Sequence, residues 1–124
     1  MPKLLNEDID LITAVPISKK RMKERGYNQS ELIARKIAKI MEVPYMNLLL
    51  KNQETKRQSE LSRIERMINI QNSFDFNNKY DIKGKKILLI DDVFTTGSTV
   101  NECSKVLKKS GSTSIEVAVI AKRT

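Results

Sequence analysis

Residues 87–99, ILLIDDVFTTGST, constrain this chain more than any other stretch. Ile87, Leu88, Leu89 and Ile90 are consecutive branched apolar residues, the pattern of a buried strand. Two acids, Asp91 and Asp92, stand at its carboxyl end, and Thr95, Thr96, Gly97, Ser98 and Thr99 form a small hydroxyl-rich loop. An amphipathic helix follows, with Val100, Cys103 and Leu107 on one face. Helix N-termini carry unpaired amides and the positive end of the dipole. A strand that passes through a Gly/Thr/Ser turn into a helix therefore makes a seat for phosphate. Gly97 lets the backbone approach such a group closely. The carboxylates cannot hold a phosphate themselves; they suit vicinal hydroxyl donors, or a divalent cation. Acids and loop together describe a sugar phosphate.

Other readings of the run explain less. A Walker B strand needs a G-x-x-x-x-G-K-[ST] loop, which the chain lacks. In the acidic pocket of a phospho-acceptor receiver, the acids follow an early strand, and the hydroxyl and lysine partners lie on later ones. An ordinary N-capped helix uses one hydroxyl and leaves the rest of the ordered run unexplained.

The run resembles the signature of type I phosphoribosyltransferases: apolar strand, two acids, two further apolar residues, then T-T-G-S-T. Two other stretches narrow the resemblance. Arg25, Gly26, Tyr27, Asn28 and Gln29 follow a basic turn holding Lys19, Lys20, Arg21 and Lys23. Thr55, Gln58, Leu61, Ser62, Arg66, Asn69 and Phe74 come later at the spacing T-x-x-Q-x-x-L-S-x-x-x-R-x-x-N-x-x-x-x-F. From about Asp10 to Ala121 the chain resembles the ComF family of competence-associated phosphoribosyltransferase-like proteins. Such proteins usually carry an N-terminal cysteine-rich zinc-binding region. This chain starts just before its first core strand and has one cysteine, so the expectation is a shortened member or a fragment.

The resemblance implies phosphoribosyl pyrophosphate (PRPP) as ligand. Val93, Thr95, Thr96, Gly97, Ser98 and Thr99 would surround the 5′-phosphate, and Asp91 and Asp92 would contact the ribose 2′- and 3′-hydroxyls. It further implies displacement at ribose C1 through a transition state of oxocarbenium character, with pyrophosphate leaving. Mg²⁺ would bridge the pyrophosphate and ribose hydroxyls, and Asp91 and Asp92 would meet it only through those hydroxyls. Lys19, Arg21 and Arg25 are candidates for holding the pyrophosphate, Arg25 first because Gly26 beside it suggests a specific backbone shape. A solvated basic turn is an equal reading for each of them. Gln58–Asn69 falls where these enzymes carry a mobile loop that closes over PRPP and excludes water. Arg66, with Arg63 second, is its candidate charge and joins Asp91 and Asp92 as a catalytic candidate. Leu61, Ile64 and Ile68 also let that stretch read as a surface helix.

Composition bounds the rest. A chain of 124 residues reads as one domain, able to bury roughly two-thirds of its unfolded surface. Apolar content is 40% and no run reaches membrane-spanning length. The opening MPKLLNEDID has acids where an export signal needs basic and apolar residues, so the expected location is cytoplasmic. A single cysteine excludes an internal disulfide framework and a Cys-based zinc site, and the absence of histidine excludes His-dependent triads and His metal clusters. Cys103 reads as core. A net charge of +8 fits nucleic acid, a polyanionic substrate such as PRPP, or plain solvation. Only Lys19–Arg25 concentrates it, and Tyr27 is the single aromatic there, so nucleic-acid binding is the weakest functional reading.

Along the chain, Leu11–Val15 is a strand ended by Pro16. Asn28 caps a helix, with Glu31 three residues on as in a capping box. That helix carries Leu32, Ile33, Ile37, Ile40 and Met41 and stops before Pro44. Leu48–Leu50 is a second strand near an edge, and Phe74 and Phe76 alternate as a small edge strand. Asp81–Lys85 turns around Gly84, and Lys86–Ile90 is the central strand. A helix from about Thr99 to Lys109 ends at Gly111, and Ile115–Ala121 is the last strand. This alternation predicts an α/β fold: an open parallel sheet with right-handed crossovers, strand order about 2-1-3-4, and helices on both faces. The strands Leu11–Val15 and Lys86–Ile90 then lie side by side with their helices on opposite faces. That is a topological switch point, from which both marked loops, Ile17–Gly26 and Asp91–Thr99, emerge.

Two functions compete on these grounds. One is Mg²⁺-dependent transfer of phosphoribosyl from PRPP to an unknown acceptor, linked to competence by the resemblance. The other is a non-catalytic PRPP-binding adaptor in DNA uptake, working with a competence-machinery protein. Only Met1–Asp8 precedes the first strand, too little for the hood that binds the acceptor in this superfamily. PRPP binding is therefore expected to exceed transfer.

Overall fold

The protein is described by a computed structural model over residues 9–52, 73–94 and 98–122. Its elements in chain order are β1 (Leu11–Ala14), α1 (Lys19–Arg25), α2 (Gln29–Met41), β2 (Leu49–Lys51), β3 (Phe74–Phe76), β4 (Lys86–Phe94), α3 (Ser98–Lys109) and β5 (Ser114–Lys122). The strands β1, β4 and β5 form a sheet in the order β1-β4-β5. Both pairings are parallel, with Leu11 opposite Ile87 and Lys86 opposite Ser114.

The pleat sorts these strands between two cores. Ile12, Ala14, Leu88 and Ile90 pack with Ala34, Ala38 and Met41 of α2. Leu11, Ile87 and Leu89 pack with Val100, Cys103 and Leu107 of α3, and with Leu48, Leu49 and Phe74. Helices thus cover opposite faces, as the sequence predicts. The buried face of α2 is Ser30, Ala34, Ala38 and Met41. Leu32 and Ile40 are about half exposed, at 47% and 48%. Ile33 and Ile37, also expected on this face, pack partly buried against the same core.

Local signals are borne out at several ends. Asn28 caps α2, its Oδ1 accepting the Ser30 N–H at 3.0 Å. The expected capping box does not form: Asn28 takes the Ser30 N–H and not that of Glu31, and Glu31 accepts from Arg35 Nε at 2.9 Å. Gly111 has φ 112°, and a Cβ there would lie 3.2 Å from Lys83 Cα, so the turn after α3 closes on the Gly84 turn. The Gly84 N–H donates to Gly111 O at 2.9 Å.

Three features differ from the sequence expectation. The basic turn is the seven-residue helix α1, capped by Ser18 and closed by Gly26 at φ 81°, and it buries no residue. Beside β1, the edge is taken by the residues before the expected second strand. Ile12 N–H donates to Pro44 O and Met46 N–H to Ile12 O, both at 3.0 Å. This contact is a single parallel bridge between Ile12 and Tyr45. Pro44 offers no N–H to extend it. Thr13 Oγ1 accepts the Leu48 N–H at 3.2 Å, where a ladder would use a carbonyl. β2 then pairs antiparallel with β3 in a sheet of its own. Finally, β4 runs past Ile90 to Phe94, because β5 still pairs with it after β1 has ended.

The helix read over Leu61–Ile68 lies outside the described residues. Among the described residues, no helix is long and apolar enough to cross a membrane.

Candidate functional site

β1 and β4 are neighbours, and their following helices α2 and α3 pack on opposite faces. The expected topological switch point is therefore present, and ligands of open α/β sheets bind at such points. Beyond Ala14 the last tie between the two strands is the Val15 N–H donating to Ile90 O at 3.0 Å. β4 continues, so Asp91 and Asp92 stand just past the end of β1 while still on the strand paired to β5.

The pleat gives the two acids different surroundings. Asp92 follows Ile90 on the α2 side. Its Oδ1 accepts from Ser30 Oγ at 3.2 Å, and its N–H donates to the same oxygen at 3.0 Å. Asn28 Nδ2 donates to Val15 O at 3.1 Å. The first turn of α2 is thus fastened to the end of β1 and to β4. Asp91 follows Leu89 on the α3 side, half-buried. Its carboxyl is pushed up to about 6, first by burial, then by the neighbouring Asp92 charge and a hydrogen bond between the two carboxyls. The Asp92 amide and Ser30 act in the opposite direction. At pH 8 Asp91 is ionised, and a pair of carboxylates in partial burial attracts hydroxyl donors or cations.

On the α3 side, Cys103 is fully buried. Burial and then the Asp91 charge push its thiol well above the ordinary range, which keeps it protonated. It is core, as the sequence predicts, and not a nucleophile.

The other residues expected at the site divide into two groups. Val93 lies within β4, Ser98 opens α3, and Thr99 is half-buried in its first turn. Thr95, Thr96 and Gly97 lie outside the described residues, as do Arg63 and Arg66. Lys19, Arg21 and Arg25 lie on α1, between β1 and α2, and all three are exposed. The Arg25 guanidinium lies 6.0 Å from the centre of the Tyr27 ring. Among the described residues, none of the three bonds to Asp91 or Asp92.

Ser30 is absent from the residues that the sequence marks for the site, because it passes for an ordinary helix residue. Its one signal is its place on the i, i+4, i+8 stripe with Ala34 and Ala38, a polar group on an otherwise apolar face. Among the described residues, no group of three or more His, Cys, Asp or Glu side chains could hold a metal.

Residues 28–124 match the phosphoribosyl transferase domain family. Competence protein F of Haemophilus influenzae is 36% identical over 115 residues, which is 91% of this chain and 50% of that protein. Competence protein ComFC of Bacillus subtilis is 32% identical over 82% of this chain and 39% of its own length. DNA utilization protein YhgH of Escherichia coli is 30% identical, over 87% of this chain and 47% of its own. The chain spans about half the length, or less, of these curated relatives. Among solved structures, glutamine PRPP amidotransferase from B. subtilis superposes with a TM-score of 0.60 at 22% identity, covering 90% of this chain and 22% of that one. Adenine phosphoribosyltransferase from Leishmania donovani gives 0.56 at 18%, covering 92% and 44%. At these identities the likeness is one of fold. The parallel sheet with its switch point is thus the phosphoribosyltransferase fold, and the chain belongs to the phosphoribosyl transferase domain family, in its ComF branch.

Proposed function

We propose that the protein binds PRPP with Mg²⁺ at the carboxyl ends of β1 and β4 and transfers its phosphoribosyl group to an acceptor nucleophile, as one cytoplasmic domain serving DNA uptake. The observation that carries this reading is the acid pair just past the end of β1, on a strand separated from α3 by residues 95–97 alone. Asp91 and Asp92 accept hydrogen bonds from the ribose 2′- and 3′-hydroxyls. Amides of residues 95–99 hold the 5′-phosphate at the start of α3. Lys19, Arg21 and Arg25 draw the pyrophosphate toward α1, and Arg66 adds charge when its loop closes. Two carboxylates do not make a metal cage, but Mg²⁺ usually needs only one or two of them beside substrate phosphates. When bound, the ion supplies neutralisation of the leaving pyrophosphate. Asp91 and Asp92 would reach it through the ribose hydroxyls.

A second reading, PRPP binding without turnover, is favoured by the relatives' names: competence and DNA utilization denote a process and no reaction. Thermal unfolding tests the shared part. PRPP with Mg²⁺ at about 100 times its Kd should add about 2.7 kcal/mol of stability. No shift in a folded sample at millimolar PRPP would refute both readings. Pyrophosphate release over a panel of bases then separates transfer from binding alone.

A further inference from the structure

Neighbouring residues of a strand point to opposite faces. Asp91 and Asp92 therefore leave β4 on opposite sides, yet their carboxyls come within hydrogen-bonding reach of each other, against the repulsion of their like charges. A ribose resting on the sheet edge must meet both. Something has to hold at least one carboxylate in place, and the geometry assigns this to Ser30.

A serine hydroxyl has one proton to give and two lone pairs to receive with. Ser30 Oγ receives the Asp92 N–H at 3.0 Å and faces the Asp92 Oδ1 at 3.2 Å as donor. One oxygen thus grips both the backbone and the side chain of Asp92, which fixes its rotamer. Ser30 is itself immobilised. It is 3% exposed, and its own N–H is held by Asn28 Oδ1 at 3.0 Å. Asn28 is tied in turn to Val15 O at 3.1 Å. An unbroken series of contacts runs from the end of β1 through Asn28 and Ser30 to Asp92 on β4. Packing alone does not call for this hydroxyl. The next residues along the same buried stripe of α2 are Ala34 and Ala38, and an alanine at position 30 would continue it.

We propose that Ser30 is a positioning residue for the ribose-binding acids: it commits one oxygen of Asp92 to α2 and so presents the rest of that carboxylate to a vicinal diol. This rests on the PRPP reading above. The hydroxyl then gives selectivity for ribose-bearing phosphates over phosphate alone, without touching the ligand.

A double-mutant cycle tests the proposal. Ser30→Ala, Asp92→Ala and the double variant are compared with wild type for binding of PRPP with Mg²⁺ and of inorganic phosphate. Hydrogen exchange at the Asp92 amide is followed by NMR without ligand. Ser30→Ala should weaken PRPP binding about 10-fold, the size of one hydrogen bond to a charged group, and leave phosphate binding within about 2-fold. It should add no further loss in the Asp92→Ala background, where no carboxylate is left to position, and Ser30→Thr, which keeps the hydroxyl, should recover most of the affinity. Additive losses, or equal loss of phosphate, would make Ser30 merely structural and overturn the proposal. The exchange rate separates this failure from that of the parent reading. Unchanged exchange at Asp92 in Ser30→Ala refutes the clamp even if PRPP binds. Faster exchange in a protein that binds no PRPP upholds the clamp and refutes the PRPP reading, and the ribose role with it.

Discussion

Asp91→Asn should make the ligand-free protein more stable at pH 8 and weaken its hold on PRPP. The Asp91 carboxyl is raised from 3.8 to about 6 in the folded chain, mainly by burial and then by Asp92. Between those values the folded state binds a proton that the unfolded chain has released. The stability given by protonated Asp91 is therefore complete below pH 3.8 and lost as pH rises through about 6. A rise of that size corresponds to at most about 3 kcal/mol, and the site's contact with water reduces this to about 1–2 kcal/mol. Asparagine carries no charge to bury, so the variant should exceed wild type by that amount at pH 8. The two should converge near pH 4, and denaturant melts at both values check this. Binding goes the other way. A carboxylate accepts from two hydroxyls where an amide offers one acceptor, and each bond to a charged group is worth about 1.5–3 kcal/mol. PRPP affinity should fall about 10–100-fold while inorganic phosphate is unaffected. Equal loss of both would mean the acids serve the fold and not the ribose.

Leu89→Ala should destabilise the protein severely. Leu89 is fully buried on the central strand, between β1 and β5 and under α3. Truncation removes its transfer energy and leaves a cavity that a strand paired on both edges cannot close, at about 2–5 kcal/mol. Against a usual domain stability of about 5–15 kcal/mol, that is a third or more. Val117, on the neighbouring strand β5, is 43% exposed, so Val117→Ala should cost under about 1 kcal/mol. Urea unfolding of the two variants measures the contrast. Equal losses would contradict the assignment of the core to the β4 face under α3.

What was legible in the residues was local. Asn28, Gly84, Gly111 and the run Lys86–Ile90 each carry their structural meaning within a few residues. The switch point followed because two such loops had to leave adjacent strands. α1 escaped detection because it buries nothing, so it has no apolar period to read; its caps, Ser18 and Gly26, are the sole signals. The pairing of β2 with β3 is a contact between three-residue strands far apart in the chain, and neither strand specifies its partner. On α2 the expected Met41 is buried and Ile33 and Ile37 pack against the same core, whereas Leu32 and Ile40 are half exposed and the unmarked Ala34 and Ala38 are buried. At the candidate site the acids were legible and their support was not. Ser30 meets Asp92 across 62 residues of chain, and no spacing rule connects them.

A crystal structure of the protein with PRPP and Mg²⁺ tests the central claim most directly. The ribose 2′- and 3′-oxygens should lie about 2.5–3.0 Å from carboxylate oxygens of Asp91 and Asp92, with the 5′-phosphate on the amides of residues 95–99. PRPP bound with its ribose hydroxyls turned away from both acids, or bound elsewhere on the sheet, would contradict it.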